Sequence, residues 1–137
     1  MIVVDASVWV ARLVSQDAFH QPVRIWMAAR RSENILLISP SILLAEVAGA
    51  ISRRTGSPEL AEQTMVRLQN LPGLRLIEME RTLVESAARF AGQLGLRCAD
   101  ALYVSAAEML GLPLCTLDED QAHRAAYLVD IQFIPTR

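Results

Sequence analysis

The chain opens on "MIVVD", an apolar run rich in β-branched residues, and short runs of the same kind return at "ILLIS" (35–39) and "LPLCTLD" (112–118), with helix-length segments between them. Strands that are apolar on both pleat faces belong in a mostly parallel sheet covered by helices on both sides, where neither set of side chains meets water. The fold class is therefore α/β. "LRLIEM" (74–79) alternates with period two and supplies a third strand in chain order, and "IQFIP" (131–135) supplies a fifth at the edge.

Helix signals fill the intervals. "ASVWVARLV" follows the first strand, and after a loop at "SQDAFHQ" comes "PVRIWMAARR", with Pro22 suited to a helix start. Ser41 is expected to cap "ILLAEVAGAISRRTG" and Gly56 to end it, while Ser57 and Pro58 open the next helix. Two more helices, "RTLVESAARFAGQLG" and "CADALYVSAAEMLG", close on glycine, and "EDQAHRAAYLV" is a short last one. With 137 residues and no repeat or linker, the expectation is one domain spanning 1–137.

Composition narrows the setting. The chain is 53% hydrophobic with a mean hydropathy of +0.29, greasier than an average soluble monomer, so some apolar surface is expected to meet a partner. No basic segment precedes the first strand, and Pro40 and Glu46 interrupt the greasiest stretch, 35–51; neither a secretory signal nor a membrane span is expected, and a cytoplasmic location follows. Cys98 and Cys115 form no CxxC pair and only two histidines exist, which excludes a zinc cluster and leaves both cysteines as small core residues. Net charge is -2, too acidic to hold nucleic acid by a global field, so nucleic acid would need a local patch or a metal.

Four acids stand where apolar or capping residues are the rule. Asp5 ends the first strand, Asp118 ends the fourth, Asp100 sits in the first turn of "CADALYVSAAEMLG", and Glu46 lies amid Leu43, Leu44, Val47 and Ile51. Capping and helix-dipole effects explain Asp5, Asp100 and Asp118 one at a time, and "DEDQ" (118–121) has capping-box spacing. Glu46 resists that explanation and needs a partner, of which Arg53 and Arg97 are candidates. Should strands one and four lie side by side, all four converge. Two unit charges about 4 Å apart repel by roughly 4 kcal/mol at an effective dielectric of 20. Such a cluster takes up protons, recruits an arginine, or holds a hard divalent cation, and oxygen ligands favour Mg²⁺ or Mn²⁺.

Through "IVVDASVWV", "LAEVAGAISRR", "CADALYVSAAEMLG" and "TLDED", taken in this order over essentially the whole chain, the sequence resembles the PIN domain family, and within it the VapC type of toxin ribonuclease. The resemblance implies a three-layer αβα sandwich whose four to five strands run in the order 3-2-1-4-5. It implies Asp5, Glu46, Asp100 and Asp118 as catalytic and metal-binding acids, Ser7 and Thr116 as supporting hydroxyls, and Asp120 as a lower-ranking additional ligand. The implied activity is Mg²⁺- or Mn²⁺-dependent hydrolysis of RNA phosphodiesters, restrained by a cognate antitoxin, in a homodimer. Phosphatases and receiver domains that also end a first strand on an acid need a lysine, and all thirteen basic residues here are arginine. The alternative of another class is a catalytically silent PIN-like module that binds protein or RNA. Trp9, Trp26 and Met27 read first as core residues and second as a groove for an antitoxin segment.

Overall fold

The computed structural model describes residues 1–136. β1 (Ile2–Val4) leads into α1 (Ala6–Leu13) and α2 (His20–Ser32), and β2 (Leu37–Pro40) into α3 (Leu43–Thr55) and α4 (Pro58–Gln69). β3 (Leu74–Ile77) leads into α5 (Arg81–Leu94) and α6 (Cys98–Leu110), and β4 (Leu114–Cys115) into α7 (Glu119–Ala125) and β5 (Ile131–Gln132). Every strand pairing is parallel, in the order β3-β2-β1-β4-β5. The direction of winding reverses between β1 and β4, and open α/β sheets place their crevice at such a reversal.

Alternation along the strands builds two cores. Ile2, Val4 and Cys115 face one layer, formed with Val8 of α1, Trp26 of α2, Val47 of α3 and Leu68 of α4. Val3, Ile38 and Leu114 face the other, formed with Leu83 of α5, Leu102 of α6 and Ala125 of α7. The result is a three-layer αβα sandwich. In β3, Leu74 and Leu76 join the first core and Ile77 the second, so the period-two pattern marks a true pleat.

Some local expectations need correcting. Ser41 does not cap α3: the helix begins at Leu43 after Ile42, without a side-chain cap, and Ser41 lies in the preceding turn, its carbonyl accepting from the Leu44 N–H. α2 starts at His20, which puts Pro22 within the first turn, where a missing N–H costs nothing. Cys98 is exposed at the start of α6, unlike Cys115, which is buried. Gly56 does end α3 in the left-handed conformation (φ 68°), and Ser57 accepts from the Leu60 N–H to start α4. Among the described residues, no helix is long and apolar enough to cross a membrane.

Both tryptophans are core residues, and Trp9 also ties strand ends together. Its Nε1 donates to Ser39 Oγ at 3.2 Å, and Ser39 Oγ donates in turn to the Val4 carbonyl. This buried chain fixes the end of β2 to the end of β1, one residue before Asp5. Removing the hydroxyl with Ser39→Ala strands a buried indole N–H and weakens that junction. A loss of about 1–3 kcal/mol is expected in chemical denaturation, with the far-ultraviolet circular dichroism spectrum of the folded protein unchanged.

Candidate active site

The register Val4↔Cys115 sets the next residues of β1 and β4, Asp5 and Thr116, side by side. Asp5 caps α1: its Oδ1 accepts from the Ser7 N–H at 3.2 Å and from Ser7 Oγ at 2.6 Å. Its Oδ2 accepts from Thr116 Oγ1 at 2.8 Å, and Ser7 Oγ itself accepts from the Leu117 N–H at 3.0 Å. Capping therefore explains part of the residue's role. It does not explain the burial, since Asp5 is only 4% exposed where caps normally meet water.

Burial drives the Asp5 pKa up to about 7, against the lowering effect of the Ser7 and Thr116 hydroxyls and with a further push from the Asp100 charge. Hydrogen counting points the same way. Thr116 owns one hydroxyl hydrogen, yet faces two acceptors, Asp5 Oδ2 at 2.8 Å and Gln121 Oε1 at 2.9 Å. Gln121 cannot turn its amide around without losing the bond from Nε2 to the Asp100 carbonyl. A proton on Asp5 lets the carboxyl donate to Thr116 and Thr116 donate to Gln121; ionisation leaves one buried acceptor short.

The other acids gather around this pair. Asp118 caps α7 by accepting from the Gln121 N–H at 3.1 Å, but the expected capping box is only half made, because the Gln121 side chain goes to Thr116 and Asp100. Its own N–H donates to Thr116 Oγ1. Glu46, half-buried on α3, accepts from the Tyr103 hydroxyl at 2.6 Å. Among the described residues no arginine bonds to it: Arg53 lies back over Gly49, and Arg97 reaches Glu46 only through space. Asp100 and Asp118 share Arg97, whose Nε and Nη2 stand 3.3 and 3.2 Å from their Oδ2 atoms. Asp120 is set apart, exposed and paired with Arg124 at 3.0 Å.

Electrostatics shows which acids act together. Burial raises the pKa of Asp100 and of Glu46, and Asp100 adds its repulsion to Asp5 and Glu46 while receiving that of Asp118 and Asp120. Burial and the bond to Glu46 likewise hold the Tyr103 phenol protonated well above its usual range. The donor chemistry, carboxylate and hydroxyl oxygen alone, suits Mg²⁺ or Mn²⁺. The side chains are not drawn together around an ion, however: among the described residues no three His, Cys, Asp or Glu groups are close enough to hold one. A cation that keeps several of its waters and takes one or two carboxylates directly fits such an open arrangement.

Tyr103 and Gln121 were not legible as site residues. Tyr103 carried a signal, since it follows Asp100 by three positions on a helix and a buried phenol needs a polar partner. Gln121 showed only the capping spacing, which concealed its use.

The raised pKa predicts a pH effect of definite sign. Unfolded Asp5 releases its proton near 3.8 and folded Asp5 near 7, so its contribution to stability is full below pH 3.8 and is lost as the pH rises through about 7. The difference amounts to about 4 kcal/mol. Denaturant titrations of the metal-free protein and of Asp5→Asn should therefore show the wild type losing stability relative to the variant between pH 4 and 7. A pH-independent difference would contradict the assigned ionisation.

Comparison with known proteins places the fold. The fold is shared with a crystal structure of Mycobacterium tuberculosis VapC20, described as a sarcin-ricin loop cleaving toxin: TM-score 0.80, 21% identity, covering 96% of this chain and 99% of that one. It is shared with VapBC2 from Rickettsia felis bound to a promoter DNA fragment, at TM-score 0.75 and 16% identity over 98% and 100% of the two chains. A toxin-antitoxin complex from Klebsiella pneumoniae matches at TM-score 0.65 and 16% identity over 89% and 91%. No curated protein matches the sequence. The PIN domain model matches residues 2–127, and the chain belongs to the PIN domain family.

Proposed function

We propose that this PIN domain is a metal-dependent endoribonuclease of the VapC toxin type, acting in the cytoplasm as one domain over residues 1–137 and restrained by an antitoxin. The observation that carries the proposal is the buried Asp5 carboxyl at the sheet's reversal, with Asp100 in its electrostatic reach and Glu46 and Asp118 coupled in turn to Asp100. Carboxylates kept at raised pKa in one crevice gain more from a cation than exposed ones do. A divalent ion there would supply a more acidic water and neutralise charge on the phosphodiester, which is Mg²⁺ or Mn²⁺ chemistry for this donor set.

The chain's residues have separable tasks. Asp5, Asp100 and Asp118 would supply the oxygens for the cation, one or two of them directly and the rest through its waters. Ser7 and Thr116 fix both oxygens of Asp5 and so orient it. Tyr103 holds Glu46 at the rim of the site, where its carboxylate can take the proton released as water attacks phosphorus and the bond to the leaving oxygen breaks. A groove of about 710 Å³ is lined by Thr116, which bonds to Asp5, and by Phe19 and Phe133, aromatic residues of the kind on which unstacked RNA bases can stack.

Partners follow from similarity and surface. One of the structural neighbours is a toxin–antitoxin complex, and Tyr127 and Phe133 stand 79% and 72% exposed here, apolar area that suits an antitoxin or a second copy in a homodimer. The silent binding module is the competing reading, favoured by the Arg97 bridge over Asp100 and Asp118.

Cleavage of mixed RNA by the purified protein, with and without Mg²⁺ or Mn²⁺, separates the two. Metal-dependent cleavage that Asp100→Asn reduces to background is expected, with Tyr103→Phe slowed about 10- to 100-fold through its hold on Glu46. Equal cleavage by wild type and Asp100→Asn, or none with any divalent ion, would leave the binding module standing.

A further inference from the structure

We propose, building on the nuclease reading above, that Arg97 is the resident counter-ion of the acid cluster: a cation of the chain itself that divalent metal must displace from Asp100 and Asp118. The first observation is its position. Arg97 is the N-cap of α6, makes no side-chain cap, and sets a guanidinium at the helix end whose exposed N–H groups repel positive charge. Serine, threonine, aspartate or asparagine would serve that position better. Something else holds the cation there.

The second observation is what it bridges. One nitrogen reaches Asp100 on the same helix at 3.3 Å, and another reaches Asp118, which lies 21 positions further along and caps α7. The charge of Arg97 also favours the ionised form of Glu46, and Asp120 acts on Arg97 in turn, so a single guanidinium serves acids on three elements. Arg81 offers a contrast. Among the described residues it pairs only with Glu85 on its own helix, at 2.7 Å, as an ordinary surface ion pair does.

The third observation is the difference in exposure. The Arg97 side chain is 80% exposed, whereas those of Asp100 and Asp118 are 19% and 28% exposed. The acids are largely enclosed by the fold, and among the described residues the guanidinium bonds only to these two. Exposed pairs of this kind are weak. A doubly charged ion that approaches carboxylate oxygen to about 2.1 Å outcompetes them. Arg97 thus quiets the repulsion when metal is absent and leaves without unfolding anything when metal arrives.

Calorimetric titration of the full chain with Mn²⁺ tests this, with Mg²⁺-dependent thermal melting as a second readout. Arg97→Gln should bind Mn²⁺ about three- to tenfold more tightly than wild type. Without metal it should melt lower than wild type, by a gap that narrows as Mg²⁺ is added. Arg97→Lys, which keeps the charge but cannot fork between two acids, should fall between them, and Arg81→Gln should match wild type. Affinity in Arg97→Gln equal to or weaker than wild type would overturn the counter-ion role while leaving the nuclease reading intact. Absence of binding in every protein would remove both.

Discussion

A carboxyl group buried at the carboxyl end of a central strand is the constraint on which the rest of this molecule turns. Asp5 sits 4% exposed where β1 stops, and the surroundings are organised around the cost of keeping it there. Ser7 and Thr116 satisfy its two oxygens, Gln121 secures Thr116, and the Trp9–Ser39 link steadies the strand ends beneath. The Thr116–Asp5 and Trp9–Ser39 bonds join different strands and so depend on the parallel register of β1 with β4 and β2, whereas Ser7–Asp5 and Gln121–Thr116 are local.

From that centre the electrostatics radiates outward. Asp100 and Glu46, on helices from opposite layers of the sandwich, meet over the same sheet edge because the winding direction changes between β1 and β4. Their repulsion is relieved in three ways: a proton on Asp5, a phenol on Glu46, and a guanidinium across Asp100 and Asp118. None of the three is a permanent covalent arrangement. A cluster stabilised by removable partners is suited to accept a cation, whereas one locked by buried arginines is not.

Much of this was written plainly in the sequence. The apolar runs at 1–5, 35–39 and 112–118 revealed a doubly covered parallel sheet, and the acids ending the first and fourth strands, Asp5 and Asp118, revealed where the crevice would lie. What stayed hidden depended on side-chain competition. Ser41 has the right chemistry for a cap and is used in a turn instead, while Ile42 takes the position. Glu46 called for a partner, and cation-based reasoning pointed to arginine; a tyrosine from another helix arrived first because the half-buried site favours a neutral donor over a second charge. Arg97 was visible only as one of several arginines, since its bridge joins residues brought together by the fold.

Anomalous diffraction from crystals grown with Mn²⁺ bears most directly on the central claim that the strand-end acids form one cation-seeking unit. The account predicts a peak within ligand distance of the Asp5 carboxylate, with Asp100 or Asp118 turned toward it and Arg97 turned away. A Mn²⁺-saturated crystal without such a peak, in which Arg97 still spans Asp100 and Asp118, would contradict it.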